Sequence, residues 1–230
     1  MAGESAALVV LARRPVPGRV KTRLAGAIGA AAAARLYRAF VADLASRFGR
    51  GPLPVFWAVA PPLGDFAELF GLSKERCFEQ GGSDLGERLA SALRAIRARG
   101  FARLVAIGSD SPHLPAARVS DALERLGRVD VVLGPALDGG YYLIALREPF
   151  DLFSGVAWST AEVLSQTLAR AASLGLSSCL LEPDFDVDTA SELDLLRARA
   201  ASEPAELVAT RSALASLAQN SMPRSGSSSR

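Results

Sequence analysis

Short apolar segments alternate with longer segments rich in alanine and leucine along most of this chain. The short segments are typical of buried strands, and the longer ones repeat apolar positions at helical spacing, as Leu36, Phe40, Leu44 and Phe48 do. Alternation of this kind predicts an α/β fold, a mostly parallel sheet with helices on both faces. Folds of this class bind ligands at the carboxyl ends of their strands.

The pattern predicts six strands and five helices. With 230 residues, we expect a single domain over 1–219 and a serine-rich, disordered tail over 220–230. Ser159 or Thr160 is the expected cap of the fourth helix, and Thr189 with Glu192 forms a capping box for the fifth. The strands are expected at 6–12, 53–60, 102–108, 129–136, 141–146 and 177–183, and the helices at 30–48, 84–100, 115–127, 158–175 and 189–200.

Composition narrows the function classes. The formal net charge is only +2 and the basic residues are scattered, so we expect no nucleic-acid or membrane partner. No apolar run approaches the ~20 residues of a membrane span, and we expect a cytoplasmic protein. Cys77 and Cys179 lie far apart and the chain has one histidine, His113, so a zinc site is not expected.

An aspartate stands where the third predicted strand ends, in LVAIGSDSPHLP (104–115). Asp110 could cap the helix that begins near Pro115, but that helix starts four or five residues later. The alternative is that Asp110, between Ser109 and Ser111, binds Mg²⁺ or Mn²⁺ together with phosphate oxygens.

A second acidic segment, PDFDVDT (183–189), could supply a further ligand. In an extended backbone Asp184, Asp186 and Asp188 would all point to one side. A solvated acidic loop is the alternative for at least one of them. Because the capping box leaves Asp188 free, it is the favoured second ligand.

The loop after the first strand, ARRPVPGRVKTRLAG (12–26), is dense in cations and is a candidate phosphate cradle. The alternative is a solvated basic loop. Lys21 and Arg23 are expected to be loop cations without a buried partner. The cations are Arg13, Arg14, Arg19, Lys21 and Arg23.

Six sequence blocks carry a family resemblance. RPVPGRVKTRL, QGGSDLGERL, GSDSPHL, GPALDGGYYLIAL, WST and DVDT together resemble small bacterial proteins of the glycosyltransferase-A (GT-A) fold, described as a domain of unknown function or as glycosyltransferases. More distantly, the chain resembles the molybdopterin and phospholactate nucleotidyltransferases. The resemblance runs from about Leu8 to about Leu196.

The resemblance implies roles for individual residues. Asp110 and Asp188 would bind the metal, with Asp186 a weaker candidate. The nucleotide would be bound through its phosphates by the basic loop and through its base and ribose by the GSDLGERL block. The residues implied for the nucleotide are Arg13, Lys21, Arg23, Asp84 and Arg88.

The acceptor side is expected around the DGG turn. Asp138 is either an ordinary hairpin-turn residue or a catalytic base or acceptor-binding group. Trp158 is either a core residue or a platform on which the acceptor stacks. Tyr141 and Tyr142 alternate along a strand, and Tyr142 is the one predicted to contact the acceptor.

The sequence therefore predicts a glycosyltransferase that uses Mg²⁺ or Mn²⁺, a nucleotide-diphosphate sugar and a small-molecule acceptor. The alternative is a nucleotidyltransferase of guanylyl or cytidylyl type, in which a phosphorylated small molecule attacks a nucleoside triphosphate. A third hypothesis, a protein that binds nucleotide without catalysis, is disfavoured by Asp110 together with Asp186 and Asp188.

Overall fold

A seven-stranded sheet forms the centre of the computed structural model, which describes residues 5–203 and 205–221, with side chains up to residue 219. Six strands run in one direction and the sixth in sequence runs antiparallel to both of its neighbours. The strands are β1 (Ala6–Ala12), β2 (Val55–Val59), β3 (Cys77–Glu79), β4 (Arg103–Gly108), β5 (Val131–Pro135), β6 (Tyr141–Leu146) and β7 (Ser178–Leu180). Their order across the sheet is β3-β2-β1-β4-β6-β5-β7.

Helices cover both faces of this sheet. The side chains of β1 illustrate this, because they pack alternately into the two hydrophobic clusters. Leu8 of β1 packs in one hydrophobic cluster with Phe40, whereas Val9 packs in the other with Leu93, because successive strand residues point to opposite faces. The predicted α/β fold with a mostly parallel sheet is confirmed. The helices are α1 (Thr22–Ile28), α2 (Ala30–Gly49), α3 (Phe66–Phe70), α4 (Leu85–Ala98), α5 (Ala116–Arg125), α6 (Val163–Ser173), α7 (Ala190–Ser202) and α8 (Val208–Ser221).

All six predicted strands and five predicted helices are present, with shifted ends. The largest shift is at α6, which begins at Val163 and not beside Ser159 or Thr160. Ser159 has a positive φ of 66°, and the Thr160 hydroxyl donates to the Ala157 carbonyl 2.8 Å away, so neither caps the helix. The capping box of α7 is confirmed, with Glu192 accepting the Thr189 backbone N–H at 2.6 Å.

Four elements were not predicted: α1, α3, β3 and α8. Of the predicted tail at 220–230, the first two residues end α8 and the others lie outside the described residues. Among the helices of the described ranges, none has both the length and the apolar character needed to cross a membrane.

The carboxyl ends of the parallel strands meet at one edge of the sheet, and this edge positions the candidate site. Loops leave β1, β4 and β5 there. The acidic segment 184–188 returns to the same edge, where Ala136 bridges Asp184 and the Val187 N–H donates to the Asp110 carbonyl at 3.0 Å. Residues far apart in sequence are thus brought together.

Candidate active site

One lysine joins two carboxylates at this edge. Lys21 Nζ lies 2.5 Å from Asp110 Oδ1 and 2.9 Å from Asp188 Oδ1. Lys21 precedes α1 in a left-handed backbone conformation, Asp110 follows β4, and Asp188 stands just before the cap of α7. The structure therefore brings together the two predicted metal ligands. The expectation that Lys21 is a loop cation without a buried partner is wrong.

Burial within this cluster is uneven. The Lys21 side chain is 3% exposed, whereas those of Asp110 and Asp188 are 43% and 39% exposed. Burial alone would lower the pKa of Lys21, but the two carboxylates more than offset that effect and raise it above its ordinary value. Lys21 is therefore a permanent cation beneath two half-exposed carboxylates.

The acidic segment runs antiparallel to residues 110–113, with side chains facing in pairs. Asp184 accepts a hydrogen bond from His113 Nε2 at 2.9 Å, assigning the proton to that nitrogen, and the Ser111 hydroxyl donates to Asp186. Phe185 and Val187 point the other way, into the core. The predicted alternation is observed, but each aspartate meets a different partner.

Asp184 and Asp186 lie in different electrostatic environments, which shift their pKa values in opposite directions. Burial, reinforced by the nearby Asp110 carboxylate, raises the pKa of Asp186 to about 7. Burial also acts to raise the pKa of Asp184, but its contact with His113, the Phe185 backbone N–H and the nearby Arg199 together outweigh burial and lower the pKa. The ring of His113 stacks on Phe185 with centroids 4.0 Å apart and is 1% exposed.

Next to Asp110 lies a pair of hydroxyl groups that could not be predicted from the sequence. The Tyr37 and Ser109 hydroxyl oxygens lie 2.7 Å apart, and the Arg13 backbone N–H donates to the Tyr37 oxygen at 2.9 Å. Burial, together with the Asp110 charge, raises the pKa of Tyr37 to about 12, so its hydroxyl remains protonated. Tyr37 belongs to the apolar stripe of α2, which gave no signal of a polar contact.

The donor set of the cluster suits a hard divalent cation. Among the described residues, no hydrogen-bond partner reaches the Oδ2 atom of Asp110 or Asp188, and both carboxylates are accessible. Mg²⁺ and Mn²⁺ prefer such oxygen ligands and are commonly bound by one or two carboxylates plus phosphate oxygens. No group of three or more His, Cys, Asp or Glu side chains converges within the described ranges. A cation here would therefore need further ligands from a substrate or from water.

Most cationic side chains of the basic loop 12–26 form no ion pair with the described residues. Arg14 pairs with Asp65 at 2.7 Å. By contrast, Arg13, Arg19 and Arg23 are exposed and make no ion pair with the described residues. Arg13 directly follows β1 and Arg23 lies in the first turn of α1, so both flank the cluster.

The residues predicted to face the base and ribose have local contacts. Asp84 caps α4 by accepting the Glu87 backbone N–H at 2.9 Å. Arg88 donates to the Gly82 carbonyl at 3.2 Å. Both therefore shape the loop that follows β3, and their role toward a nucleotide stays a prediction.

The residues predicted to bind the acceptor differ in their exposure and in their contacts. Asp138 is exposed and accepts the Gly140 N–H at 2.9 Å, so it shapes the DGG turn. Trp158 packs over Gly86, where a Cβ would lie 2.4 Å from its indole nitrogen, and its ring centroid is 6.4 Å from that of Tyr141. Tyr142 is 2% exposed and donates to the Glu182 carbonyl at 2.9 Å. The structure thus does not bring Tyr142 to the carboxylate cluster.

Several solved structures share the fold of this chain. The chain is similar to the crystal structure of a "putative nucleotide-diphospho-sugar transferase" from Desulfovibrio desulfuricans G20, with 32% identity and a TM-score of 0.84 over 95% of this chain and 99% of that one. It is similar in fold to a cytidylyltransferase from Leptospira borgpetersenii, with 12% identity and a TM-score of 0.56 over 94% of each chain. The 4-diphosphocytidyl-2C-methyl-D-erythritol synthase of Anaerococcus prevotii has 6% identity and a TM-score of 0.52 over 86% of this chain and 99% of that one.

Family membership follows from the sequence comparison. None of the curated proteins compared with the chain matches it. The model of the DUF2064 family, described as uncharacterized protein conserved in bacteria, matches residues 44–160, just over half of the chain. The matched part contains Asp84, Arg88, Asp110 and Asp138. The chain belongs to the DUF2064 family of bacterial proteins.

Proposed function

We propose that this protein is a nucleotide-dependent transferase whose donor phosphates lie between the Asp110–Asp188 pair and the arginines of loop 13–23. The observation that carries the proposal is the convergence of Asp110 and Asp188 on Lys21 Nζ at the carboxyl edge of the sheet. Two half-exposed carboxylates beside three unpaired arginines suit a divalent cation bound to phosphates.

The proposed donor is a nucleotide-diphosphate sugar, and the reaction is glycosyl transfer. Support comes from the 32% identical relative from Desulfovibrio desulfuricans, which is described as a "putative nucleotide-diphospho-sugar transferase". A cation held by Asp110 and Asp188 would supply charge stabilisation to the leaving diphosphate. Arg13, Arg19 and Arg23 would neutralise the remaining phosphate charge through charge-assisted hydrogen bonds.

Nucleotidyl transfer is the second candidate. It is favoured by the density of unpaired cations in loop 13–23, because a nucleoside triphosphate carries more negative charge than a diphosphate sugar. The likeness to cytidylyltransferases concerns the fold. In this reaction the same arginines would stabilise the triphosphate while a phosphorylated acceptor attacks it.

The remaining predicted residues fit the same arrangement as proposals. Asp84 caps α4 and Arg88 lies near the start of that helix, directly after the loop that follows β3, at the edge where the nucleoside would extend from its phosphates. Asp138 is exposed in the turn after β5 at that edge, where a carboxylate could bind the acceptor or accept its proton. Trp158 would contribute only the exposed part of its ring.

Product analysis tests the function and separates the two reactions. The protein is incubated with Mn²⁺ and either nucleotide-diphosphate sugars or nucleoside triphosphates, each with sugar and sugar-phosphate acceptors. Release of nucleoside diphosphate indicates glycosyl transfer, and release of pyrophosphate with a nucleotidylated product indicates nucleotidyl transfer.

Matched variants tie any turnover to the site. Asp110→Asn should lower turnover at least about 100-fold, since losing one well-placed charge stabiliser typically costs 10²–10³ in rate. Asp121→Asn is the control, because Asp121 lies on the surface of α5 and, among the described residues, forms an ion pair only with Arg125. Turnover that is equal in the two variants would remove Asp110 from the proposed mechanism.

A further inference from the structure

Lys21 is held rigidly under the two carboxylates. Its ammonium contacts both Asp110 and Asp188 and lies 5.8 Å from the centroid of the Phe40 ring. Its backbone is in the left-handed region, with φ 49°, a conformation that non-glycine residues adopt mainly where the surrounding structure imposes it. An approaching cation would therefore reach the carboxylates from the exposed side, with the ammonium still beneath them.

This arrangement fixes the charge that an incoming cation meets. Two carboxylates alone would present a charge of −2, and the buried ammonium reduces it to −1. Asp186 lies nearby, but its contribution to the local charge is present both in the wild type and in any Lys21 variant. A free divalent cation is attracted more weakly to −1 than to −2, whereas a cation already bound to nucleotide phosphates brings negative charge that Lys21 attracts.

We propose that Lys21 makes the Asp110–Asp188 site selective for a divalent cation that arrives with nucleotide phosphates, over the free cation. This inference rests on the proposed function and deepens it by assigning a binding preference to that same site. Lys21 is accordingly a positioning and charge-setting residue, and the phosphate contacts fall to the unpaired arginines of loop 13–23.

The experiment measures two affinities in three proteins. Free Mn²⁺ binding is followed by electron paramagnetic resonance of the unbound ion, and binding of Mn²⁺ with a nucleoside diphosphate is followed by calorimetry. The proteins are the wild type, Lys21→Met and Lys21→Arg. Lys21→Met removes the charge and keeps an unbranched side chain, and Lys21→Arg keeps the charge. Melting temperatures show that each variant is folded.

The expected result is a pair of opposite changes in Lys21→Met. Its affinity for free Mn²⁺ rises roughly tenfold, and its affinity for the Mn²⁺–nucleotide complex falls roughly tenfold. Lys21→Arg keeps the wild-type preference. A role in stability alone would lower both affinities together, and that outcome overturns the inference while leaving the proposed function in place.

Two further outcomes are decisive. If Lys21→Met does not fold, Lys21→Gln is measured in its place with the same expected opposite changes, and equal affinities in Lys21→Gln and the wild type overturn the inference. If the wild type binds Mn²⁺ neither alone nor with nucleotide, the metal role in the proposed function fails as well.

Discussion

Among the aspartates of the site, Asp186 has a pKa that the fold raises well above its ordinary value. Its pKa of about 7, against an ordinary value of 3.8, arises from burial and from the neighbouring Asp110 carboxylate. Between these two pH values the folded protein holds a proton that the unfolded chain has released. The contribution of Asp186 to the free energy of unfolding therefore falls as the pH rises from about 4 to about 7.

Asp186→Asn should remove this dependence, because asparagine resembles the protonated acid and can still accept from Ser111. The free energy of unfolding of the variant should exceed that of the wild type at pH 8, and the difference should shrink toward pH 4. The contribution of this group changes by at most about 1.4 kcal/mol per pH unit. Urea unfolding of both proteins at pH 4.5, 6 and 8 measures it, and parallel pH profiles would contradict the assignment.

Asp184 and Asp188 form a matched pair, because they lie on the same extended segment and face different partners. Asp184→Asn weakens the buried contact with His113 and should lower the free energy of unfolding by about 1–3 kcal/mol. Asp188→Asn leaves Lys21 paired with Asp110 and should cost less stability.

Affinity for Mn²⁺ with nucleotide should show the reverse order, falling sharply in Asp188→Asn and little in Asp184→Asn. Urea unfolding and calorimetry on the two variants provide the comparison. Equal losses of metal affinity in both would mean that the segment acts as a unit and that Asp188 has no separate role.

At the scale of elements, the start of α8 is joined to α2 through one buried carboxylate. Asp43 is buried and accepts the backbone N–H groups of Ala209 and Thr210 at 2.9 and 2.8 Å. It thereby satisfies two of the free N–H groups at the helix start. Nearby, Arg47 of α2 donates to the Pro112 and Leu114 carbonyls, in the loop that carries Asp110.

Asp43→Ala should lower the free energy of unfolding by about 1–2 kcal/mol, the usual cost of a lost helix cap, with turnover retained. Urea unfolding measures the loss. Asp194→Ala is the control, since Asp194 is exposed on the surface of α7 and its only ion-pair partner within the described ranges is Arg197. A comparable loss in the control, or unchanged stability in Asp43→Ala, would show that the cap does not hold α8.

Long elements with a clear apolar period could be predicted from the sequence, whereas the elements that were not predicted are short or have a weak apolar period. β4 and α2 have runs long enough for the period to be unmistakable, whereas β3 has three residues and α3 has five. Convergence of Asp110 with Asp188 could be expected because Asp110 follows the end of a strand and the capping box leaves Asp188 free. The burial of Lys21 did not, because its partners lie 89 and 167 positions away in sequence and the left-handed turn that directs it has no glycine signal.

At the scale of the whole molecule, binding at the sheet edge should stabilise the entire domain, because β1 and β4 are adjacent at its centre. A ligand present at 100 times its Kd adds about 2.7 kcal/mol to the free energy of unfolding. For a chain of this size that corresponds to a rise in melting temperature of about 5–10 °C.

The rise should require Mn²⁺ and the correct nucleotide together, and Asp110→Asn should abolish it. Thermal unfolding with each component alone, with both, and with the variant tests this expectation. A full rise without Mn²⁺ would show that the nucleotide binds independently of the carboxylate pair.

The alternation of aspartates with Phe185 and Val187 has a genetic consequence. Deleting one codon just before Asp184 would exchange the two faces of the segment, turning carboxylates into the core and apolar side chains toward Lys21. Deleting two codons would leave carboxylates and apolar side chains on their original faces and would change only which individual residues are in contact. Among related genes, length differences immediately upstream of this segment should therefore come in even numbers of residues, and odd ones should coincide with loss of the acidic cluster.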